Sequence, residues 1–242
     1  MKVPRSPHRW SVTPRQAIAI QKRFASHVLH TPMDRPVHYV AGLDMAFSPD
    51  GSRCLAGVVL WDVNEQATVE SHVVTRPVTF PYVPGLLSFR EAPAVIAALR
   101  RLRRTPDCLM CDGQGLAHPR RFGIACHVGV LVDLPTVGCA KSRLTGEHNE
   151  PERKRGSRTP LRDGGETIGA VLRTRDGVKP VFVSIGHRID LSGSVRIVLD
   201  CSAGYRIPEP TRLADRLVAA AKRALSAQPS QAPAGTPRRP GD

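Results

Sequence analysis

Two aspartates in this sequence lie where a folded chain would have to bury them. Asp44 is the only charged residue in the run Val40 to Phe47, and Asp112 directly follows the apolar run Cys108 to Cys111. A carboxylate buried among apolar side chains costs free energy unless it is paired or binds a cation. Asp112 also opens an Asp-Gly-Gln-Gly segment, whose glycines allow a ligand or another backbone to approach closely. The alternative for Asp112 is to cap a turn or the next helix.

Glu91 is a third acidic candidate with two interpretations. It stands three residues after Ser88, the spacing of a helix capping box, and taken alone this structural role is favoured. If Glu91 converged with Asp44 and Asp112, three carboxylates in one cleft would repel one another and would need a divalent cation. Sequence spacing alone leaves the two interpretations open.

The donors in such a cluster would determine its chemistry. Oxygen ligands without a set of Cys and His favour Mg²⁺, with Mn²⁺ as a substitute, and predict hydrolysis of phosphodiesters in a basic protein. Lys141 follows the apolar run Thr136 to Ala140 and could polarise a phosphate or help to activate water. A lysine at a strand end is, without that context, more often a solvated surface residue. The pair Cys108 and Cys111 has no second pair at finger spacing, so buried, reduced thiols are expected.

Composition restricts the class of partner. The 242 residues include 35 Lys and Arg against 21 Asp and Glu, a formal net charge of +14, so a polyanion is expected. With 41% hydrophobic residues the chain can bury a core, and no apolar run approaches the ~18 residues of a membrane span. The N-terminus lacks the apolar segment of a secretory signal. These features predict a cytoplasmic protein without a membrane partner, and no heptad pattern argues against a monomer.

The elements that must position these residues follow from periodicity. A helix is predicted from an N-cap at Thr13, and short turns predict an antiparallel meander of three strands. Alternating helices and short buried strands then predict an α/β fold with a mixed central sheet flanked by helices. The predicted strands are 39–47, 54–62, 68–80, 108–111, 136–140, 167–172 and 180–185, and the later predicted helices are 88–104, 121–132, 191–199 and 209–225. The charged segment 145–165 is predicted as a surface loop, residues 1–225 as a single domain, and 226–242 as a disordered Pro-rich tail.

The segment Phe80 to Leu87 is rigid, aromatic and apolar, which is unusual for a loop. It is equally typical of a wedge between nucleic-acid bases and of a crossover that covers the core.

Taken together, the blocks AGLDMAF, PYVPGLLSFREAP, CDGQGLAHPRRFGIACHVG, LPTVGCAKSRLTGE, GAVLRTRDGVKPVFVSIGHRIDL and YRIPEPTRLADRL resemble the endonuclease V family, in order, from about residue 13 to 220. Several long, ordered blocks are far more specific than one short motif. The resemblance implies an RNase H-like fold and Mg²⁺-dependent nicking of deaminated DNA, chiefly at deoxyinosine. It places the nick at the second phosphodiester bond 3′ of the lesion, leaving 3′-hydroxyl and 5′-phosphate ends.

The resemblance also implies roles for individual residues. Asp44, Glu91 and Asp112 fall in blocks that hold metal-binding carboxylates, Asp215 is the fourth acidic position, where some relatives have His, and Lys141 would support the water or the phosphate. Pro81, Tyr82, Val83 and Pro84 resemble the wedge that fills the gap left by an extruded base. The residues expected to line or shape the base pocket are Gly85, Leu87, Gly113, Gln114, Gly115, Leu116, His118, Gly123 and Ile124. For His118, contact with nucleic acid is favoured over a place in the core.

Two rival functions remain at this stage. The first is cleavage of inosine in single-stranded RNA by the same metal chemistry. The second is a non-catalytic nucleic-acid-binding module, supported by the charge and by the clusters 100–104 and 153–155. Such runs predict only attraction to phosphates, and they leave Asp44 and Asp112 unexplained.

Overall fold

The computed structural model describes residues 1–33 and 35–227. Within them, eight strands form one mixed sheet in the order β3-β2-β1-β4-β5-β8-β7-β6. The strands are β1 Tyr39–Phe47, β2 Arg53–Asp62, β3 Ala67–Pro77, β4 Cys108–Cys111, β5 Thr136–Ala140, β6 Arg158–Asp163, β7 Glu166–Leu172 and β8 Val181–His187, and the helices are α1 Pro14–Ala25, α2 Leu87–Leu99, α3 Ile124–Val132, α4 Leu191–Asp200 and α5 Glu209–Ala227.

The mixed sheet predicted from the sequence is confirmed. β1, β2 and β3 form the antiparallel meander, and β4 and β5 run parallel to β1 in the middle of the sheet. β8, β7 and β6 then pair antiparallel on the other side of β5. The central strands are short and buried, so their ends, rather than their faces, are free to carry chemistry.

One strand lies where a surface loop was predicted. β6 occupies Arg158–Asp163, and among its six residues only Leu161 is buried. Of the strands it pairs only with β7, at the edge of the sheet, and Arg162 forms one further bridge with Glu147. Pro160 is tolerated here because an edge strand need not donate every hydrogen bond. Charged residues on an exposed edge concealed the strand, so the loop prediction for 145–165 was wrong in this part.

Helix boundaries also differ from the sequence prediction. The prediction of a capping box at Ser88 is wrong, because α2 begins at Leu87 with Leu86 as its N-cap. The Ser88 hydroxyl hydrogen-bonds instead with His127 Nδ1 at 2.9 Å. α2 ends at Leu99, five residues early, and α3 begins at Ile124 rather than 121. Arg121 has a φ of +53°, which a helix does not accommodate.

At the chain ends, the capping box of α1 is present, with Thr13 and Gln16 bonding each other's backbone amides. α5 continues through Ala227, so the first two residues of the predicted tail are helical. The rest of that predicted tail, 228–242, lies outside the described residues. Among the residues that are described, no helix is long and apolar enough to cross a membrane.

Both faces of the sheet are covered by helices. α2 packs on one face with part of α3, and α4 packs on the other face. α5 crosses β1 and β2 so closely that a Cβ at Gly42 would lie 2.1 Å from the carbonyl carbon of Pro210. Glycine at this position therefore allows α5 to approach the strand that carries Asp44, which lies two residues further along β1 on the same face.

Candidate active site

The acidic side chains meet where the parallel strands end. Leu43 of β1 is opposite Cys111 of β4, so the residues that follow them, Asp44 and Asp112, lie side by side on neighbouring strands. The Asp112 amide donates to the Leu43 carbonyl at 3.0 Å, which fixes this relationship. Neighbouring strands are about 4.8 Å apart, so two carboxylates at this level are forced into proximity.

Lys141 and Asp215 complete the group. Lys141 Nζ lies 2.6 Å from Asp112 Oδ2 and 3.8 Å from Asp215 Oδ2. Lys141 directly follows β5, which is parallel to β4, and Asp215 is on α5. Asp44 is only 8% exposed, whereas Asp215 is open to solvent. Glu91, on α2, lies near enough to Asp112 for their charges to interact, and both line one cavity. We call Asp44, Glu91, Asp112, Lys141 and Asp215 the acidic edge.

Proton affinities show the electrostatic cost of this arrangement. Burial, the charge of Asp112 and the nearby Asp215 raise the pKa of Asp44 to about 8, although Lys141 opposes the shift. Burial and the charge of Asp112 raise the pKa of Glu91 to about 7, although the charge of Arg90 opposes the shift. For Lys141, burial disfavours the ammonium, but the hydrogen bond to Asp112 and the surrounding carboxylates outweigh it, so its pKa is raised. The carboxyl groups of Asp44, Asp112 and Asp215 surround the single ammonium of Lys141, and an added cation would relieve this excess of negative charge.

The donor set fits a hard divalent cation, but the side chains are not arranged around one. The carboxylates of Asp44, Glu91 and Asp112 are oxygen ligands of the kind that Mg²⁺ and Mn²⁺ prefer. In the described part of the chain, no three Asp, Glu, His or Cys side chains are grouped closely enough to hold a metal as they stand. Lys141 pairs directly with one of the two Asp112 oxygens, Oδ2.

A cavity of about 370 Å³ opens beside the acidic edge. Glu91, Asp112 and Lys141 form part of its wall, which places the cavity next to the candidate chemistry. Of the predicted pocket residues, the wall includes Gly85, Leu87, Gly113, Gln114, His118, Gly123 and Ile124. Sequence reasoning missed Gln21, Ser88, Ala140, Ser142, Arg143 and Leu144, which also line it.

Backbone packing forms one side of the cavity. A Cβ at Gly123 would lie 2.2 Å from the Gln114 carbonyl oxygen, and the Gly123 amide donates to the Gly115 carbonyl at 3.0 Å. Gly115 and Leu116 do not line the cavity: Leu116 donates to the Ile185 carbonyl of β8, and a Cβ at Gly115 would lie 2.0 Å from that same oxygen. These two residues pack against β8, behind the residues that line the cavity.

The segment Pro81–Pro84, which we call the wedge loop, is exposed and held at both ends. Phe80 and Leu86 are buried in a cluster with Phe89, whereas the Tyr82 side chain is 68% exposed. The ends of the segment therefore cover part of the core, as one alternative expected, while Tyr82 is left exposed. The wedge role of Pro81–Pro84 stays a prediction.

His118 and a second histidine, His187, are both buried and hydrogen-bonded within the protein. His118 Nε2 donates to the Gly85 carbonyl at 3.0 Å, and its Nδ1 accepts from the Arg120 amide at 3.1 Å. Both ring nitrogens of His118 therefore have partners within the protein. Direct contact of His118 with nucleic acid stays a prediction. His187 bonds with the Leu29 amide and Asp133 and does not line the cavity.

Comparisons with known proteins agree on one family. A family model described as Endonuclease V matches residues 22–216. Endonuclease V of Nostoc punctiforme is 49% identical over 214 residues, which cover 88% of this chain and 97% of that protein. The crystal structure of Endonuclease V from Streptomyces avermitilis is 42% identical, with a TM-score of 0.86 over 93% of this chain and 98% of that chain. Endonuclease V of Ciona intestinalis, solved with a DNA containing an inosine followed by a ribo-adenosine, shares the fold at 24% identity and a TM-score of 0.77, over 87% of this chain and 98% of that chain.

Proposed function

Because the chain belongs to the Endonuclease V family of nucleases, we propose that it is a DNA repair endonuclease that cuts DNA at deaminated bases, chiefly deoxyinosine. The observation that carries this proposal is the placement of the acidic edge against a cavity of about 370 Å³. A cavity of this size accommodates one base, and the carboxylates beside it are suited to phosphodiester hydrolysis. Recognition and cleavage would therefore take place in adjoining parts of one cleft.

Asp44, Glu91, Asp112 and Asp215 are the residues that would hold Mg²⁺, or Mn²⁺ in its place. The bound ion would supply Lewis-acid stabilisation of phosphate charge and a water with a lowered pKa. Lys141 is positioned by its pairing with Asp112 to neutralise phosphate charge or to orient the attacking water. We place the cut at the second phosphodiester bond 3′ of the lesion, with 3′-hydroxyl and 5′-phosphate products.

Selection of the lesion would depend on extrusion of the base. Leaving the stack costs a few kcal/mol, and less for a deaminated base whose pairing is already weakened. Tyr82 in the wedge loop is exposed and able to fill the gap in the duplex. The extruded base would enter the cavity, whose glycine-rich wall brings backbone groups close to its edge.

The test compares three labelled substrates: a duplex with one deoxyinosine, the same duplex without it, and a single-stranded RNA with one inosine. Each is incubated with the purified protein in Mg²⁺ or in EDTA. We expect Mg²⁺-dependent nicking of the deoxyinosine strand alone. Preferential cleavage of the RNA would instead support an inosine-specific ribonuclease, and tight binding without any cleavage would overturn the nuclease assignment at this site.

A further inference from the structure

The carbonyl oxygen of Gly85, immediately after the wedge loop, accepts three hydrogen bonds. Its donors are Gln21 Nε2 at 2.9 Å, His118 Nε2 at 3.0 Å and Arg120 Nη2 at 2.6 Å. A carbonyl oxygen has two lone pairs, so three donors exceed what is needed to satisfy it. Gln21 lies on α1, while the other two donors lie between β4 and α3. The end of the wedge loop is thus held by two distant parts of the chain.

The three donors also bind one another. Arg120 Nε donates to Gln21 Oε1 at 2.5 Å, and the Arg120 backbone amide donates to His118 Nδ1 at 3.1 Å. Gln21 Nε2 additionally donates to the Phe122 carbonyl at 3.1 Å. Because an arginine only donates and a backbone carbonyl only accepts, these contacts fix the orientation of the Gln21 amide and place the His118 proton on Nε2. We call Gln21, His118 and Arg120 the Gly85 clamp.

The clamp is costly if its only task is to stabilise the fold. Gln21 is 1% exposed and lies between Ala17 and Phe24 on the buried face of α1, a position that an apolar residue could fill. Arg120 is partly buried, and in the described part of the chain no carboxylate pairs with its guanidinium, whose pKa burial lowers. Apolar packing would avoid both desolvation costs. What the polar groups achieve, and apolar groups could not, is a fixed position for the Gly85 carbonyl.

We propose that Gln21 and Arg120 are positioning residues that hold the wedge loop ready, so that Tyr82 meets the gap left by an extruded base in one orientation. This inference rests on the proposed function, because a wedge has a task only in an enzyme that flips bases. A loop ordered in advance loses less conformational entropy when it inserts. The clamp should therefore matter when the deoxyinosine must leave a duplex, and not when it is already unpaired.

The test uses variants that preserve size or charge. Gln21→Glu keeps an acceptor for Arg120 but removes the donor to Gly85, and Arg120→Lys keeps the charge but can no longer reach both partners. Ala19→Gln, on the exposed side of α1, is the matched control. In single-turnover nicking, each clamp variant should slow cleavage of a deoxyinosine duplex about tenfold, the rate change for the loss of one net hydrogen bond. Cleavage of the same strand without its complement should change less than about twofold in Arg120→Lys, because Arg120, unlike Gln21, does not line the base cavity; the control should match the wild type on both substrates.

A double-mutant cycle with Tyr82→Ala tests whether the clamp acts through the wedge. If it does, adding Arg120→Lys to Tyr82→Ala should cause little further loss of duplex cleavage, since Arg120 does not line the base cavity. Additive losses, or equal losses on the duplex and the single strand, would overturn the proposal, because both point to a general structural defect.

A second readout does not require activity. Hydrogen exchange of the peptide 80–87 should be faster in Gln21→Glu and Arg120→Lys than in the wild type, with exchange in the central strands unchanged. Unchanged exchange in 80–87 would rule out the clamp even in an active nuclease. If the wild type nicks no deoxyinosine substrate, the proposed function fails, whereas the exchange measurement still decides whether the clamp holds the loop.

Discussion

The acidic edge and the Gly85 clamp both contribute residues to the wall of one cavity, but they differ in how fully their charged and polar groups are paired. At the acidic edge, three carboxyl groups surround the ammonium of Lys141, and the pKa values of Asp44 and Glu91 are raised. In the Gly85 clamp, the Gln21 amide and both nitrogens of the His118 ring have partners within the protein, and so has the Arg120 guanidinium. The first region keeps an electrostatic imbalance, whereas the second satisfies its polar groups.

This difference matches two tasks in one cleft. An imbalance of negative charge can be relieved by a cation, so it favours chemistry that a metal supports. A satisfied hydrogen-bond network is rigid and suits the positioning of a loop or a base. Substitutions at the acidic edge should therefore lower the rate of cleavage and can increase the stability of the fold. Substitutions in the clamp should lower the rate of cleavage of duplex substrates and the stability of the fold.

The largest effect is expected from Asp112→Ala. Asp112 lies between Asp44 and Lys141 and contributes to the raised pKa of Glu91, so its loss disrupts the acidic edge as a whole. Single-turnover nicking of a deoxyinosine duplex in Mg²⁺ should fall by at least ~10³-fold. Binding of the duplex, measured by fluorescence anisotropy in EDTA, should be retained or become tighter, because one negative charge is removed. Nicking at the wild-type rate by a pure preparation would contradict the assignment.

A smaller loss is expected from Lys141→Ala. Its ammonium is the cation nearest to Asp112, at 2.6 Å, and it lines the cavity. Nicking should slow by about 10- to 100-fold, as for the loss of one electrostatic contact to the reacting phosphate. Lys154→Ala, which removes the same charge from an exposed loop between β5 and β6, serves as the control. Equal effects of the two substitutions would indicate that net charge, rather than the position of Lys141, is responsible.

The sequence predicted the residues whose chemistry conflicts with their surroundings. Asp44 and Asp112 were identifiable because a carboxylate inside an apolar run requires an explanation, and the parallel strands then place them together. Glu91 needed the family resemblance, since its spacing from Ser88, taken alone, favoured a capping box that does not form. The placement of Asp215 required the crossing of α5 over β1, a tertiary feature that no local pattern encodes.

The clamp shows what the sequence analysis missed. Gln21 occupies the helical stripe with Ala17 and Phe24, where a polar residue is unusual, and this was the available signal. Its partners, Gly85 and Arg120, are 64 and 99 residues away in sequence, so their meeting depends on the fold. β6 was missed for the opposite reason, because its exposed edge position leaves almost no apolar alternation to detect.

A stability measurement tests the imbalance at the acidic edge directly. The pKa of Asp44 is about 8 in the folded protein, above its ordinary value of 3.8, so its contribution to stability is present below about pH 4 and is lost as the pH rises through 8. In EDTA, Asp44→Asn should therefore be more stable than the wild type at pH 8.5, by roughly 1–3 kcal/mol. The difference should shrink as the pH falls and vanish below about pH 4. A variant that is less stable at pH 8.5 would show that Asp44 is well satisfied in the folded state.

The smallest expected effect is the pH dependence of stability at His118 of the clamp. Here stability is lost as the pH falls, whereas at Asp44 it is lost as the pH rises. Burial, followed by the charge of Arg120, lowers the pKa of His118 from 6.5 to about 4, in keeping with an Nδ1 that must stay unprotonated to accept from the Arg120 amide. The stability that neutral His118 provides is fully present above pH 6.5 and is lost as the pH falls toward 4, because only the unfolded chain takes up the proton in that window. Urea unfolding of His118→Gln should consequently show a weaker decline in unfolding free energy between pH 6.5 and 4 than the wild type. Parallel declines would mean that His118 titrates normally, and the clamp would then lack the fixed tautomer on which its hydrogen bond to Gly85 depends.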